Sequence, residues 1–256
     1  MFNNYIKRYS VTNYGGNNWN WLMGYEKTEI NGIATYYAID YPLVPSRIVM
    51  FNQYWIYKDY QNLPFYNTYT TKYVNGYFYF SSDNYFYKTN SNFSLLNFYK
   101  NTSAHYHQFV YDTAGSKFYV APESYSQIDV FDLSCSLLQS INLGSKQPYG
   151  LAAFNGNLYI GVLNSNQVLV MQSGSIIRYF TVNQCSISKY QIISITVDSF
   201  GYLAITCAAS NLVVVYDSNG NYMNASISTS FIPYITAIDA NGRLVIMTTQ
   251  SLNIYY

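Results

Sequence analysis

The chain has 256 residues, half of them hydrophobic, with 32 Tyr and only 10% charged residues, whereas an average soluble protein has roughly 25%. Its formal net charge is +1 and it has no run of basic residues, which excludes the electrostatic pattern of a nucleic-acid binder or of a protein held on an anionic membrane. No stretch of about eighteen apolar residues predicts a transmembrane helix. The first residues lack the apolar segment of a secretory signal, so export by that route is not expected.

From its N-terminus the chain reads as short strands separated by turn residues. The first predicted strand is Tyr5 to Val11, the second is Trp21 to Glu26, and the pattern then repeats around a turn that contains glycine. These glycines are 39 to 45 residues apart, at Gly32, Gly76, Gly115, Gly156, Gly201 and Gly242. Four of the six turns read Asn-Gly, which suits a two-residue hairpin turn with both central residues at positive φ. A regular β period near forty residues indicates a propeller.

One complete unit of the repeat runs from Pro148 to Val182 and contains four predicted strands, as one propeller blade does. Extending this pattern predicts an all-β fold, a single six-bladed β-propeller over residues 1–256 with four antiparallel strands in each blade. Its blades are expected near residues 20–60, 68–99, 108–143, 149–182, 191–227 and 234–256, the last completed by 5–11. No helix is expected.

The sixth unit is one strand short at the end of the sequence. The segment YIKRYSV, Tyr5 to Val11, matches IIRYFTV, Ile176 to Val182, in its pattern and in its position before a new first strand. We therefore expect the N-terminal strand to pair beside Asn253 to Tyr256 and to close the ring, which also covers an open sheet edge.

Three segments carry a resemblance to a known family. They read PYGLAAFNGNLYIGVLNSNQVLVMQSGSIIRYF, IISITVDSFGYLAITCAASNLVVVYDSNGNYM and PYITAIDANGRLVIMTTQSLNIYY. These segments resemble NHL-type repeats, with the strongest match over residues 110–256. The resemblance implies a β-propeller, and because such propellers include lyases, lactonases, scaffolds and RNA binders, it leaves the function open.

The residues that carry chemistry are sparse. The two histidines, His105 and His107, lie two apart, so an extended segment would direct both the same way. The usual site of a propeller is the face that carries the fourth-to-first and second-to-third strand connections. The predicted loops of this face include His105 and His107 and add only Asp40, Asp83 and Glu123. Most other aspartates occupy turn positions, where the side chain bonds the backbone. We therefore predict no catalytic residue, no metal site and no cofactor, with a metal-dependent hydrolase or lyase as an alternative.

The chain has three cysteines, too few for a disulfide framework. Cys185 and Cys207 are predicted on the same face of the fifth blade, so they form a candidate disulfide in an oxidising location, while free thiols are the alternative. Cys135 is expected to be unpaired near the opposite face.

The aromatic residues are the remaining signal. Tyr can replace Phe and Leu in the core with its hydroxyl at the rim, or it can form an amphipathic contact surface together with Asn and Ser. We expect a non-catalytic propeller that associates with copies of itself or with other proteins in a filament, coat or particle surface, since low charge permits association. This favours an extracellular or assembly-surface location, without nucleic acid or membrane insertion. The alternative is a glycan-binding propeller. The candidate contact residues are Trp19, Trp21, Tyr69, His105, Tyr106, His107, Glu123 and Tyr125.

Overall fold

The computed structural model describes residues 7–11, 21–30, 33–41, 46–52, 57–186, 191–238, 243–248 and 252–255. Trp19, the turn glycines Gly32 and Gly242, and Asp239 lie outside these residues. The strands form six separate four-stranded antiparallel sheets, and this confirms the prediction of a six-bladed propeller. The one helical element in the described ranges is a single 3₁₀ turn, Ala208–Ser210.

The strands follow one another along the chain, four to a sheet. After β1 (Lys7–Val11), the first blade comprises β2 (Trp21–Ile30), β3 (Ile33–Tyr41), β4 (Arg47–Asn52) and β5 (Tyr57–Asn62). The second comprises β6 (Thr68–Val74), β7 (Tyr77–Ser82), β8 (Tyr85–Thr89) and β9 (Leu95–Lys100). The third comprises β10 (His105–Asp112), β11 (Lys117–Glu123), β12 (Gln127–Phe131) and β13 (Leu137–Asn142).

The second half of the ring repeats this order. The fourth blade comprises β14 (Pro148–Phe154), β15 (Asn157–Val162), β16 (Gln167–Gln172) and β17 (Ser175–Thr181). The fifth comprises β18 (Ile192–Val197), β19 (Leu203–Cys207), β20 (Leu212–Tyr216) and β21 (Tyr222–Ser228). The sixth comprises β22 (Pro233–Ile238), β23 (Leu244–Thr248) and β24 (Leu252–Tyr255), with β1 as its fourth strand.

The N-terminal strand closes the ring as the sequence predicts. Lys7 pairs with Tyr255 and Val11 pairs with Leu252, so β1 covers the outer edge of β24. The first strands of neighbouring blades contact one another all the way round, from β2 through β22 and back to β2. The first strands therefore line the central axis, and the fourth strands form the outer rim.

The turns have the geometry that their residues favour. Asn75 and Gly76 have φ of 52° and 88°, and Asn155 and Gly156 have 48° and 74°, so both Asn-Gly turns have two central residues in the left-handed region. At turns without this pair an aspartate bonds the backbone: Asp198 Oδ1 accepts hydrogen bonds from the amides of Phe200 and Tyr202, both at 2.9 Å. The expected turn role of the aspartates is confirmed here and recurs at Asp112, Asp132 and Asp217.

Many tyrosines belong to the core. Tyr36, Tyr79, Tyr87, Tyr106 and Tyr159 are fully buried. The Tyr79 hydroxyl donates to the carbonyl oxygen of Leu133 at 2.8 Å, and that of Tyr159 donates to the carbonyl oxygen of Ser218 at 3.2 Å. Both acceptors lie in the turn between the third and fourth strands of the next blade, so each ring packs in the core while its hydroxyl links two blades. Among the described helical residues, nothing is long and apolar enough to cross a membrane.

Candidate functional site

A β-bulge near the start of each first strand shapes one face of the propeller. The strand register shifts in all six blades, and the inserted residues are Gly24, Tyr69, His107, Tyr149 with Gly150, Ile193 and Tyr234. An inserted residue is released from the ladder, so its side chain is directed differently from its neighbours. Because these strands line the axis, the bulges place equivalent residues around the mouth of the central channel.

The bulged side chains contact one another, and we call Tyr69, His107, Tyr149, Ile193 and Tyr234 the mouth ring. The imidazole of His107 stacks on Tyr69 with 4.3 Å between ring centroids and lies 4.5 Å from the ring of Tyr149. Tyr149, Ile193 and Tyr234 continue this packing in one apolar cluster. The mouth ring is thus a packed layer of side chains from consecutive blades.

Asp83, in the turn between β7 and β8, holds the rim of the mouth together. Its Oδ1 accepts a hydrogen bond of 2.5 Å from the hydroxyl of Tyr69 and lies 3.1 Å from Nδ1 of His105, and its Oδ2 accepts one of 2.6 Å from Asn67 Nδ2. Burial alone would raise the pKa of this carboxyl, but the hydrogen bonds outweigh it and lower the pKa. Asp83 is therefore an ionised anchor whose two oxygens are already bonded.

His107 is held as a neutral side chain. Its Nε2 lies 2.9 Å from the Tyr149 hydroxyl, while Nδ1 is shielded from solvent and has no hydrogen-bond partner. Burial lowers the pKa of His107 to about 4; the charge of Asp83 opposes this shift and His105 adds to it. The carbonyl oxygen of His107 accepts hydrogen bonds of 3.0 Å from the hydroxyls of Thr70 and Ser81. These contacts join the second, third and fourth blades.

Gln108 crosses the channel just inside the mouth ring. Its Nε2 donates to the carbonyl oxygen of Ile193 at 2.6 Å, which links the third blade directly to the fifth. In the intervening blade, a Cβ on Gly150 would lie 3.1 Å from the backbone nitrogen of Ser194, so the first strands of the fourth and fifth blades approach closely there. Gln108 therefore links two blades that are not neighbours in the ring.

The structure moves several predicted contact residues into strands and into the interior. His105 and His107 belong to β10 and not to a loop, because His105 pairs with Glu123 at the extended end of β11. The bulge at His107 removes the simple alternation that would have directed both histidines the same way. His105 is exposed, and Glu123 is half-buried.

The aromatic residues among the predicted contact residues also differ in their exposure. Tyr106 is fully buried and donates its hydroxyl to Asp129 Oδ2 at 2.9 Å, and Tyr69 is 7% exposed, so neither offers a ring face to a ligand. Tyr125 is 36% exposed, and its hydroxyl donates to the carbonyl oxygen of Ser103. Trp21 begins β2 and only its backbone is described, and Trp19 lies outside the described residues.

The third acidic residue predicted at this face, Asp40, also has a bonding partner. Asp40 is buried, and its Oδ2 pairs with Arg47 Nη2 at 2.5 Å. Within the described ranges, no group of three or more His, Cys, Asp or Glu side chains is placed to hold a metal ion. The sequence did not single out Gln108 or Tyr149, because their roles depend on the bulges and on neighbours in other blades.

The cysteines lie as the pairing hypothesis requires. The structure joins Cys185 and Cys207 by a disulfide, with 5.2 Å between their Cα atoms. It ties the segment before the fifth blade to the end of β19, and the hydroxyls of Ser186 and Ser210 add a 2.9 Å contact beside it. Cys135 is a buried free thiol whose pKa is raised to about 12, mainly by burial.

The outer rim carries a second feature, which the sequence did not reveal. Three consecutive fourth strands expose large apolar side chains at and beside a bulge near the start of the strand, whose inserted residues are Leu96, Leu138 and Ile177. We call these exposed residues the edge band: Leu95, Leu96 and Phe98 on β9, Leu137 and Leu138 on β13, and Ile176, Ile177 and Tyr179 on β17. Leu138 is 57% exposed and Ile177 is 53% exposed. Each of these strands ends its sheet, so no strand in the described part of the chain pairs with its outer backbone.

These three edge strands contain few of the charged side chains that commonly oppose pairing with another strand. β13 contains no charged residue, β9 has only Lys100 at its end, and β17 has only Arg178. The guanidinium of Arg178 donates to the carbonyl oxygens of Ser218 and Asn219 in the next blade, so it is directed along the ring.

The fourth strands of the first and fifth blades differ from the edge band. β5 exposes Lys58 and Asp59 beside a single aromatic residue, Tyr60, and β21 exposes Asn224, Ser226 and Ser228. Polar and charged edges of this kind are the usual defence against strand addition. The edge band is thus confined to one side of the ring among the fourth strands whose side chains are described.

Comparison with known proteins supports the fold alone. The chain matches no protein-family model and no curated protein sequence. Among solved structures it is similar to the WD40 β-propeller domain of Doa1, with a TM-score of 0.70 and 12% identity over 92% of this chain and 78% of that one. It is also similar to virginiamycin B lyase from Staphylococcus aureus, with a TM-score of 0.68 and 11% identity over 94% of this chain and 81% of that one. At such low identity these likenesses establish a propeller and no activity.

Proposed function

We propose that the chain is a non-catalytic interaction propeller that associates with further copies of itself through the edge band. The observation that carries the proposal is the exposure of adjacent large apolar residues on three neighbouring edges, as at Leu137 and Leu138. Contiguous apolar surface of this kind is characteristic of interaction sites. A net charge of +1 gives little repulsion between copies.

The non-catalytic part of the proposal rests on how the face carboxylates are used. Both carboxylate oxygens of Asp83 are engaged, in contacts with Asn67, Tyr69 and His105, and Asp40 is paired with Arg47. Neutral His107 is packed between two tyrosine rings. A general acid or base needs access to the proton that it transfers, and these contacts restrict that access.

The interaction surface differs in composition from the Tyr, Asn and Ser surface expected from the sequence. Tyr179 is 64% exposed and contributes to it, but Leu and Ile supply most of the edge band. We also retain the NHL-type repeat as a proposal that rests on the residue pattern over 110–256. An alignment of homologues with that turn and strand pattern would test it, and relatives without the pattern would contradict it.

Self-association is tested by charging the edges. The variant Leu96→Lys/Leu138→Lys/Ile177→Lys places a cation on each exposed edge, where it opposes strand addition and apolar contact. We expect wild-type mass to rise with concentration in light scattering and sedimentation, and the triple variant to stay monomeric.

The matched control is Asn224→Lys/Ser226→Lys/Ser228→Lys, which adds the same charge on the exposed positions of β21. It should associate like the wild type. A wild-type protein that stays monomeric at high concentration, or an edge variant that associates as strongly as the wild type, would refute the proposal.

A further inference from the structure

Three segments of the chain have the form Asn-x-Ser without an intervening proline, which is the acceptor pattern for N-linked glycans. They span residues 92–94, 101–103 and 224–226. An attached glycan is bulky and hydrophilic, so the folded protein can carry one only where the side-chain amide nitrogen of the asparagine faces solvent. The surroundings of Asn92, Asn101 and Asn224 therefore separate usable acceptors from unusable ones.

Asn101 is held against the core by its own side chain. It is half-buried, its Nδ2 donates to the hydroxyl of Tyr106 at 3.4 Å, and its Oδ1 accepts a hydrogen bond of 3.0 Å from the amide of Ser103. Tyr106 is fully buried and bonded in turn to Asp129. A glycan on Asn101 would displace the Tyr106 contact, so this asparagine is a poor acceptor.

Asn224 lies in the bulge of β21, on the outer rim of the fifth blade. The register of β21 against β20 shifts between Val215 and Tyr216, and Asn224 is one of the two residues inserted there. Its φ is 52°, and it is exposed. No hydrogen bond engages its side-chain amide in the described part of the chain. The amide nitrogen of Asn224 is therefore open to solvent at the edge of the ring.

The neighbouring blades show that this position has room for a large group. The bulges of β9, β13 and β17 insert Leu96, Leu138 and Ile177 at the corresponding point of the fourth strand, and all three are exposed. A residue inserted at a bulge is released from the strand ladder, so its side chain is free to turn outward. A glycan on Asn224 would accordingly extend away from the propeller.

Asn92 is exposed in the turn between β8 and β9. The side chain that closes this turn belongs to Asn90, whose Oδ1 accepts hydrogen bonds of 3.0 Å from the amides of Asn92 and Ser94. The turn therefore does not need the side chain of Asn92. Its amide nitrogen is available without loss of a contact that shapes the turn.

The disulfide is an independent observation that fits the same chemistry. Cys185 and Cys207 are joined, and disulfides form and persist in oxidising compartments. Acceptor segments of this kind are used in secreted proteins, which pass through such compartments. One history of the chain would therefore account for both the bridge and the exposed acceptors.

We propose that Asn92 and Asn224 are N-glycosylation sites and that Asn101 is left unmodified. The donor is an oligosaccharide linked to a polyprenyl phosphate. A bond forms between Nδ2 of the asparagine and C1 of the first sugar, the bond from C1 to the phosphate oxygen breaks, and Nδ2 gives up one proton. The polyprenyl phosphate leaves with the electron pair, so no oxidant or reductant is needed.

Peptide mass spectrometry of the full chain from its natural source tests the proposal. Peptides that contain Asn92 and Asn224 should carry a sugar mass, and the peptide that contains Asn101 should not. A predicted site that is unmodified contradicts the assignment at that site, and a glycan on Asn101 at similar occupancy contradicts the role given to its contact with Tyr106.

Variants made in a secreting host that attaches N-glycans provide the matched controls. Ser226→Ala and Ser94→Ala keep the asparagine but remove the acceptor pattern, so each should lower the intact mass by one glycan. Ser228→Ala, on the same strand outside the pattern, and Ser103→Ala should leave the number of glycans unchanged. Unchanged glycan number in Ser226→Ala would overturn the assignment of Asn224.

This inference goes beyond the proposed self-association and does not rest on it. The association measurements use protein from a host without N-glycosylation, so either proposal can fail while the other stands.

Discussion

Gln108 and Ile193 are joined across the central channel, although they belong to blades that are not neighbours in the ring. The Gln108 amide donates at 2.6 Å to the Ile193 carbonyl oxygen, and both groups are buried. Replacing Gln108 by Ala leaves this carbonyl oxygen without its donor, which costs about 1–3 kcal/mol of unfolding free energy. Urea unfolding of Gln108→Ala should show this loss, and Gln172→Ala, at the exposed end of β16, should change the unfolding free energy little. Equal effects of the two substitutions would contradict the role of Gln108.

The closing strand makes a prediction about ring stability. Deleting residues 1–12 removes β1 and exposes the edge of β24. In the intact protein, Lys7 to Val11 pair with this edge. We expect the melting temperature to fall by about 10 °C or more, since a propeller draws stability from closure. A synthetic peptide of residues 1–12 should restore part of the loss when added in excess, and a scrambled peptide should not. An unchanged melting temperature would overturn the proposed role of β1.

The tyrosine hydroxyls that link blades should be measurable one at a time. Tyr79→Phe removes the bond to Leu133 and keeps the buried ring, so the expected cost is about 1 kcal/mol. Tyr77→Phe, on a side chain that is 37% exposed, serves as the control and should be nearly neutral. Denaturant midpoints of the two variants provide the comparison. Similar midpoints would show that the Tyr79 hydroxyl contributes nothing to stability.

The three cysteines should differ sharply in reactivity. Unfolding without reductant should release one reactive thiol, Cys135, since Cys185 and Cys207 are bonded. The folded protein should show none, because burial raises the pKa of Cys135 to about 12 and blocks access. Removing the bridge with Cys185→Ser/Cys207→Ser should cost about 3 kcal/mol for a separation of 22 residues. Three thiols in the unfolded, unreduced protein would disprove the bridge.

His107 predicts a loss of stability in mild acid. Its pKa is lowered to about 4, whereas the unfolded value is about 6.5, so between these values the unfolded chain binds a proton that the native protein does not. This contribution to stability is complete above about pH 6.5 and declines as the pH falls toward 4.

The unfolding free energy should therefore decrease by about 2 kcal/mol between pH 7 and pH 5, from this group alone. His107→Gln should flatten that slope, and His105→Gln should retain it because His107 is still present. Urea titrations at several pH values supply the measurement. If the unfolding free energy of His107→Gln still falls between pH 7 and pH 5, other titrating groups cause the pH dependence.

The turns and the period of the chain are decided locally, and the sequence predicted them. Asn75-Gly76 and Asn155-Gly156 adopt the conformation that these two residue types favour, and the aspartate turns follow from short side-chain bonds to the backbone. Recurrence of such turns at a fixed spacing is sufficient for the number of blades. The same repeat also identified the strand at Tyr5 to Val11, and the structure describes Lys7–Val11 of this strand.

The tertiary structure alone decided the two candidate surfaces. Tyr69, His107 and Tyr149 meet because each first strand carries a bulge, and a one-residue insertion depends on pairing with a neighbouring strand rather than on local preference. In the sequence alone, Leu137 and Leu138 look the same as an apolar pair that is buried in the core. They are exposed because β13 is the outermost strand of its blade, and only the packed ring shows that no described element lies beyond it.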